Sequence, residues 1–121
     1  MGVKSYQELI VWQKAADAAA LVYQIAKKLP KTEIYSLTSQ MQRAAVSIPS
    51  NIAEGQARNS TKEFIQFLSV AKGSKAELET QLQLCVKVGY LADTDISETM
   101  NLLQEVGKML SALTKTLTAA L

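Results

Sequence analysis

Histidine is absent from this chain of 121 residues. The commonest general base and metal ligand is therefore missing, and the Glu-x-x-His pairs of di-iron helical bundles cannot be built. A single cysteine, Cys85, rules out an internal disulfide and a zinc site with the usual ligands, and points to a reducing compartment. The five glycines are scattered at positions 2, 55, 73, 89 and 107, so no glycine-rich phosphate loop exists. No charged-then-apolar leader opens the chain, and no run of about 18 apolar residues occurs. The expected compartment is the cytoplasm, with no membrane association, no catalytic residues, no metal and no cofactor. Thirteen basic side chains against eleven acidic ones give +2, far from the strongly basic balance of a dedicated nucleic-acid binder.

What remains is helix-forming. The apolar content, 48% of residues, is mostly alanine and leucine, with only two prolines. Ser5 with Glu8 has the spacing of a capping box, so a first helix is predicted from near Tyr6 to Leu29, stopped by Pro30. It carries two apolar stripes, one of Leu9, Trp12, Ala16, Ala19 and Tyr23, the other of Val11, Ala15, Ala18, Val22, Ile25 and Leu29. Two such faces imply neighbours on both sides, one of which can belong to another subunit. The second helix has Leu37, Met41, Ala44, Ala45, Ile48 and Ile52 on one side. Both its faces keep phase across Pro49, which predicts one Pro-kinked helix fading after Gly55. Ser60 with Glu63 repeats the capping spacing and opens a third helix to about Val88, closed by Gly89. Its inner face carries Phe64, Phe67, Leu68, Ala71, Leu78, Leu82 and Cys85, and Ile65, Val70, Leu84 and Val88 lie outside it. Asp95 with Glu98 offers a third capping pair for a fourth helix lined by Ile96, Met100, Leu103, Val106, Leu110, Leu113 and Leu117, frayed from Thr118. Short links force antiparallel neighbours, so the prediction is a single all-α domain over residues 1–121, an antiparallel up-down-up-down four-helix bundle.

The outer side of the second helix repeats Arg43, Ser47, Ser50 and Glu54. It is either a solvated face or a polar seam in which Arg43 meets a carboxylate, with Glu54, Glu77 and Glu79 as the choices. The basic residues form no stripe. Lys27, Lys28 and Lys31 share an end with Glu33, Asp93, Asp95 and Glu98. Lys4, Arg58, Lys62 and Lys115 gather at the other end against Glu8, Glu54 and Glu63, which makes them the candidate phosphate contacts. Tyr6, Trp12, Tyr23, Phe64 and Phe67 fall at core spacing and are core or interface residues before they are stacking platforms.

Trp12-Gln13-Lys14-Ala15, the Ala-Val-Ser-Ile-Pro-Ser-Asn-Ile-Ala-Glu-Gly string ending at Gly55, Glu63-Phe64 with Phe67-Leu68, and Gly73-Ser74 followed by Glu77-Leu78-Glu79-Thr80-Gln81-Leu82 resemble the four-helix bundle proteins of the 23S rRNA intervening-sequence family. The likeness covers residues 6 to about 91. It implies a bacterial protein, a kinked second helix and a ring-like homopentamer. Arg43, Ser47, Ser50, Asn51 and Glu54 match the family's signature position by position. The accessory protein of diversity-generating retroelements, which looks like a structural relative, binds nucleic acid and a reverse transcriptase. Two positions depart from the pattern. Gln42 stands where a second basic residue is usual, and Lys75 stands where an apolar one is, so the Lys75 stem must pack while its ammonium escapes or finds an acid. The functional expectation is a non-catalytic, homopentameric bundle that associates with RNA or DNA as a scaffold. Its alternative is a scaffold for an unidentified protein partner with no nucleic-acid role.

Overall fold

The computed structural model describes residues 5–121. It contains four long helices, α1 (Ile10–Ala26), α2 (Leu37–Ala57), α3 (Thr61–Lys87) and α4 (Asp93–Ala119), and one-turn 3-10 helices at Tyr6–Glu8 and Lys31–Glu33. There is no strand among the described residues. At 1.5 Å per residue, α3 and α4 each extend about 40 Å.

Contacts along three of the helix pairs run in opposite senses. Lys14 meets Glu105 and Lys28 meets Asp95 between α1 and α4. Met41 meets Cys85 and Ser47 meets Ser74 between α2 and α3. Lys72 bonds Ser111, while the Lys75 stem lies over Gly107, between α3 and α4. The second apolar stripe of α1, from Val11 to Leu29, is buried throughout. It joins Met41, Ile48 and Ile52 of α2, Leu68, Leu78 and Leu82 of α3, and Leu103, Val106 and Leu110 of α4 in one apolar cluster. Helical phase thus sets which residues enter the core.

The helix ends differ from the sequence reading in four places, one of them the end of α1, which stops at Ala26 rather than running to Leu29 before Pro30. Ser5 caps a single 3-10 turn, its hydroxyl accepting from the Gln7 N–H at 3.2 Å, and Leu9 is extended, so α1 starts at Ile10 rather than near Tyr6. Leu9 instead packs against the core, and Trp12 meets the Tyr6 ring edge-on at 5.1 Å. α4 begins at Asp93, with Asp95 as the third residue of the helix. Its carboxylate accepts from the Ala92 N–H at 2.8 Å, so Asp95 closes the start from inside rather than pairing with Glu98. α2 continues two residues past Gly55, and it is helical through Pro49.

Two predicted ends hold. Ser60 accepts from the Glu63 N–H at 3.2 Å at the start of α3. Gly89, at φ 86°, ends that helix by turning Tyr90 and Leu91 back onto the Cys85 carbonyl at 2.9 and 3.2 Å.

Candidate functional site

The polar residues of α2 divide into a buried bridge and an open rim. Ser47 Oγ lies 2.8 Å from Ser74 Oγ of α3. Asn51 Nδ2 donates to Ser47 Oγ at 2.9 Å and to the Ser47 carbonyl at 2.7 Å. The Ser47–Ser74 bond joins α2 to α3, and Asn51 braces Ser47 from within α2, all three side chains being half-buried. Ser74, one turn before Leu78 in the α3 pattern, is the partner that sequence reasoning missed. Its identity was legible in the Gly73-Ser74 pair, but its alignment with Ser47 depends on the register between two helices.

Arg43 takes none of the carboxylates offered to it. Glu54 accepts from Arg58 at 2.8 Å, one helical turn on. Glu79 accepts from Lys75 at 3.0 Å. Glu77 lines the same surface groove as Arg43, with Gln40, Ser47 and Ser74 between them, but no ion pair joins the two. The exposed guanidinium stays hydrated because these partners are either already engaged or on the far wall. Ser50 is exposed on the other flank of α2, facing α1.

The candidate phosphate contacts fall in unlike settings. Arg58 bridges Glu54 and Glu63, at 2.8 and 3.6 Å, and its guanidinium sits 4.8 Å from the centre of the Phe67 ring. Lys62 is exposed in the first turn of α3, and Lys115 is exposed near the end of α4. Lys4 lies outside the described residues. Lys75 resolves its unusual position in both ways at once. Its stem crosses Gly107, where an added Cβ would come within 2.6 Å of Lys75 Cε, and its ammonium pairs with Glu79.

Two grooves flank α1. Between α1 and α2 an apolar channel is lined by Tyr6, Trp12, Ala16, Ala19, Val46, Pro49 and Ala53. Past Val46 a second groove, lined mostly by the polar Ser39, Gln42, Arg43 and Ser47, reaches Tyr23; Val46 and Tyr23 are 42% and 45% exposed. This is the first apolar stripe of α1, only partly covered by the subunit's own core: Ala19 is buried, Leu9 and Trp12 pack against the core, and Tyr23 is open. Between α1 and α4 a groove of about 600 Å³ has the opposite character, with Asp17, Glu98 and Glu105 around an apolar floor of Leu21 and Leu102.

Reactive chemistry is sparse among the described residues. No cluster of carboxylate, thiol or imidazole groups is placed to hold a metal ion. Cys85 is fully buried, and that burial, aided by the charge of Glu33, pushes its thiol pKa up and away from a nucleophile's range. Glu33 is tied down structurally. Its carboxylate accepts from Ser36 Oγ at 2.6 Å and from Tyr90 Oη at 2.8 Å, bonds that hold it below the ordinary carboxylate value. The described helices include none long and apolar enough to cross a membrane.

Comparison with known proteins gives a consistent family assignment. The sequence model of the family described as 23S rRNA-intervening sequence protein matches residues 7–112. A solved structure from Bacteroides thetaiotaomicron, a protein of unknown function from the S23 ribosomal protein family, superposes with a TM-score of 0.81 at 25% identity. That match covers 88% of this chain and 99% of the other. No curated protein matches.

Proposed function

Since the chain belongs to the 23S rRNA-intervening sequence protein family, we propose that it is a non-catalytic, self-associating bundle of the bacterial cytoplasm that scaffolds RNA or DNA. The observation that carries this reading is the uncovered apolar channel between α1 and α2. A subunit that leaves Trp12, Val46 and Pro49 along one groove, with a half-exposed Tyr23 in the polar groove beyond Val46, has apolar surface to bury. A second copy of the chain is the occupant we assign to it, and the copy number is that of the homopentamers the family likeness implies. The non-catalytic part rests on the absence of histidine and on the inert setting of Cys85. Five subunits at +2 would total about +10, enough to build a field along one rim when the charge is unevenly spread.

Light scattering on nuclease-treated protein, repeated with ribosomal RNA fragments at low and high salt, tests the reading. The expected result is a mass near five subunits and an RNA-dependent increase that salt abolishes. A monomer would refute self-association, and a ring indifferent to RNA and DNA would refute the nucleic-acid role. A second reading, a scaffold for another protein, is favoured by the apolar side chains at the α2–α3 end. Tyr35 is 97% exposed there, and Leu84 and Val88 are about half exposed beside Leu37. A stoichiometric protein partner recovered after nuclease treatment, from a ring that binds no nucleic acid, would select it.

A further inference from the structure

The register between α3 and α4 gathers basic side chains that lie far apart in the sequence. Lys72 Nζ donates to Ser111 Oγ at 3.3 Å. Lys108 and Lys115 stand three residues before and four residues after Ser111, within about 60° of it around α4. All three lysines are exposed, and none belongs to an ion pair among the described residues. The nearest carboxylates are engaged elsewhere. Glu79 holds Lys75, and Glu105, one turn before Lys108 on α4, is taken by Lys14 at 2.9 Å. The carboxylates of α4 that line the α1 groove, Glu98 and Glu105, thus lie beside a solvent face on which Lys108 and Lys115 have no ion-pair partner.

From this arrangement we infer that the α3–α4 face carrying Lys72, Lys108 and Lys115 is the contact surface for a nucleic-acid phosphate backbone. The inference rests on the nucleic-acid reading above and gives it a location. Lys108 and Lys115 are separated by about 10 Å along α4, which matches roughly three phosphates of one strand at about 3.4 Å of axial rise each. Three lysines outside any ion pair, only Lys72 bonded and that to a neutral hydroxyl, are point charges on flexible stems, suited to neutralising phosphates and indifferent to base sequence. The acidic α1–α4 groove repels the same polyanion, so the strand is held to one side of α4. Binding is accordingly sequence-tolerant and steeply dependent on salt.

The test is fluorescence anisotropy of the full chain with a labelled single-stranded RNA and a labelled DNA duplex, titrated at several salt concentrations. The triple variant Lys72→Gln/Lys108→Gln/Lys115→Gln is compared with Lys27→Gln/Lys31→Gln/Lys87→Gln, which lowers the net charge equally but at exposed sites elsewhere. The first variant is expected to lose roughly tenfold or more in affinity at low salt. The slope of log affinity against log salt should fall by about 2.7 for duplex and about 2.1 for single strand. The second variant is expected to keep both. If the wild type binds and the first variant retains its slope, the location is wrong while the nucleic-acid reading stands. If the wild type forms rings yet binds neither probe at low salt, both fall. Binding to phosphatidylserine vesicles in preference to either nucleic acid overturns the assignment of the face. Circular dichroism checks that each variant is folded. Should the triple variant unfold, Lys108→Gln alone is expected to lower the duplex slope by about 0.9, and an unchanged slope there overturns the inference.

Discussion

Two glycines inside helices illustrate how the surroundings, rather than the residue type, decide the effect of a substitution. A Cβ at Gly55 would stand 2.7 Å from Phe67 Cβ and 2.9 Å from Phe64 Cδ1, with the Phe64 carbonyl at 3.4 Å. None of these can swing aside without moving α3. Gly55→Ala should destabilise by about 1–2 kcal/mol, overpacking outweighing the gain in helix propensity. At Gly107 the obstacle is the far end of Lys75, which can rotate into water. Gly107→Ala should therefore be mildly stabilising, by about 0.5 kcal/mol, since the alanine preference outweighs the displacement of one half-buried i,i+4 ion pair whose ammonium can follow its stem toward water. Thermal melts of the two variants should shift in different directions. The Glu33–Tyr90 bond makes a second residue-scale prediction. Hydrogen bonds from Ser36, then from Tyr90, hold the Glu33 carboxyl below its ordinary 4.5. Lys28 and the Ala92 N–H do the same for Asp95, below 3.8. A depressed folded pKa contributes stability that is present above the unfolded value and disappears as pH falls through the folded one. Tyr90 is raised above 10 by the same Glu33 bond, so its contribution is present below pH 10 and disappears as pH rises through the folded value. Melting temperature against pH should be flatter on both the acid and the alkaline limb in Tyr90→Phe.

At the scale of elements, the α2–α3 contact is the place where polar chemistry and packing meet. Removing the Ser47 hydroxyl strands that of Ser74 in a half-buried site, at a cost of about 1 kcal/mol, whereas removing that of Ser74 breaks the same bond but leaves Ser47 Oγ accepting from Asn51. Removing both leaves nothing stranded. Denaturant unfolding of Ser47→Ala, Ser74→Ala and the double variant should show a double loss well short of the sum of the singles. The helices themselves were legible in the sequence because apolar periodicity is a local property. The buried stripe of α1, the inner faces of α3 and α4, and the Ser60 and Gly89 caps all follow from spacing alone. Starts were less legible where two nearby polar residues compete for the cap. Ser5 spends its oxygen on a 3-10 turn, and Asp95 works from within the first turn of α4, so neither marks the boundary its spacing suggests. The carboxylate set around Arg43 was legible as residue types but not as partners. Glu54 and Glu79 each pair with a cation four residues away in sequence, Arg58 and Lys75, whereas Lys14 and Lys28 reach across to α4, so residue type and spacing do not decide the partner.

Across the whole molecule, what the sequence hides is register. Lys72 and Lys108 carry no signal that links them, and they share a face only because α3 and α4 align Lys72 with Ser111. The apolar channel was visible as the first stripe on α1, but its continuation through Val46 and Pro49 required the docked α2. Val46 makes the sharper probe of self-association, since it is 42% exposed and a charge there leaves the subunit core intact. Val46→Glu should reduce the solution mass to that of a monomer while helical content and cooperative unfolding persist. Cys85 adds a property that belongs to the fold as a unit. Its sulfur is fully buried 3.5 Å from Met41 Sδ, at the contact that joins α3 to α2. With no other thiol in the chain, alkylating reagents have one target, and they reach it only during the moments when the two helices part. The rate of maleimide labelling thus counts openings of the native bundle, a clock that needs no engineered reporter and that slows if assembly clamps the subunits shut.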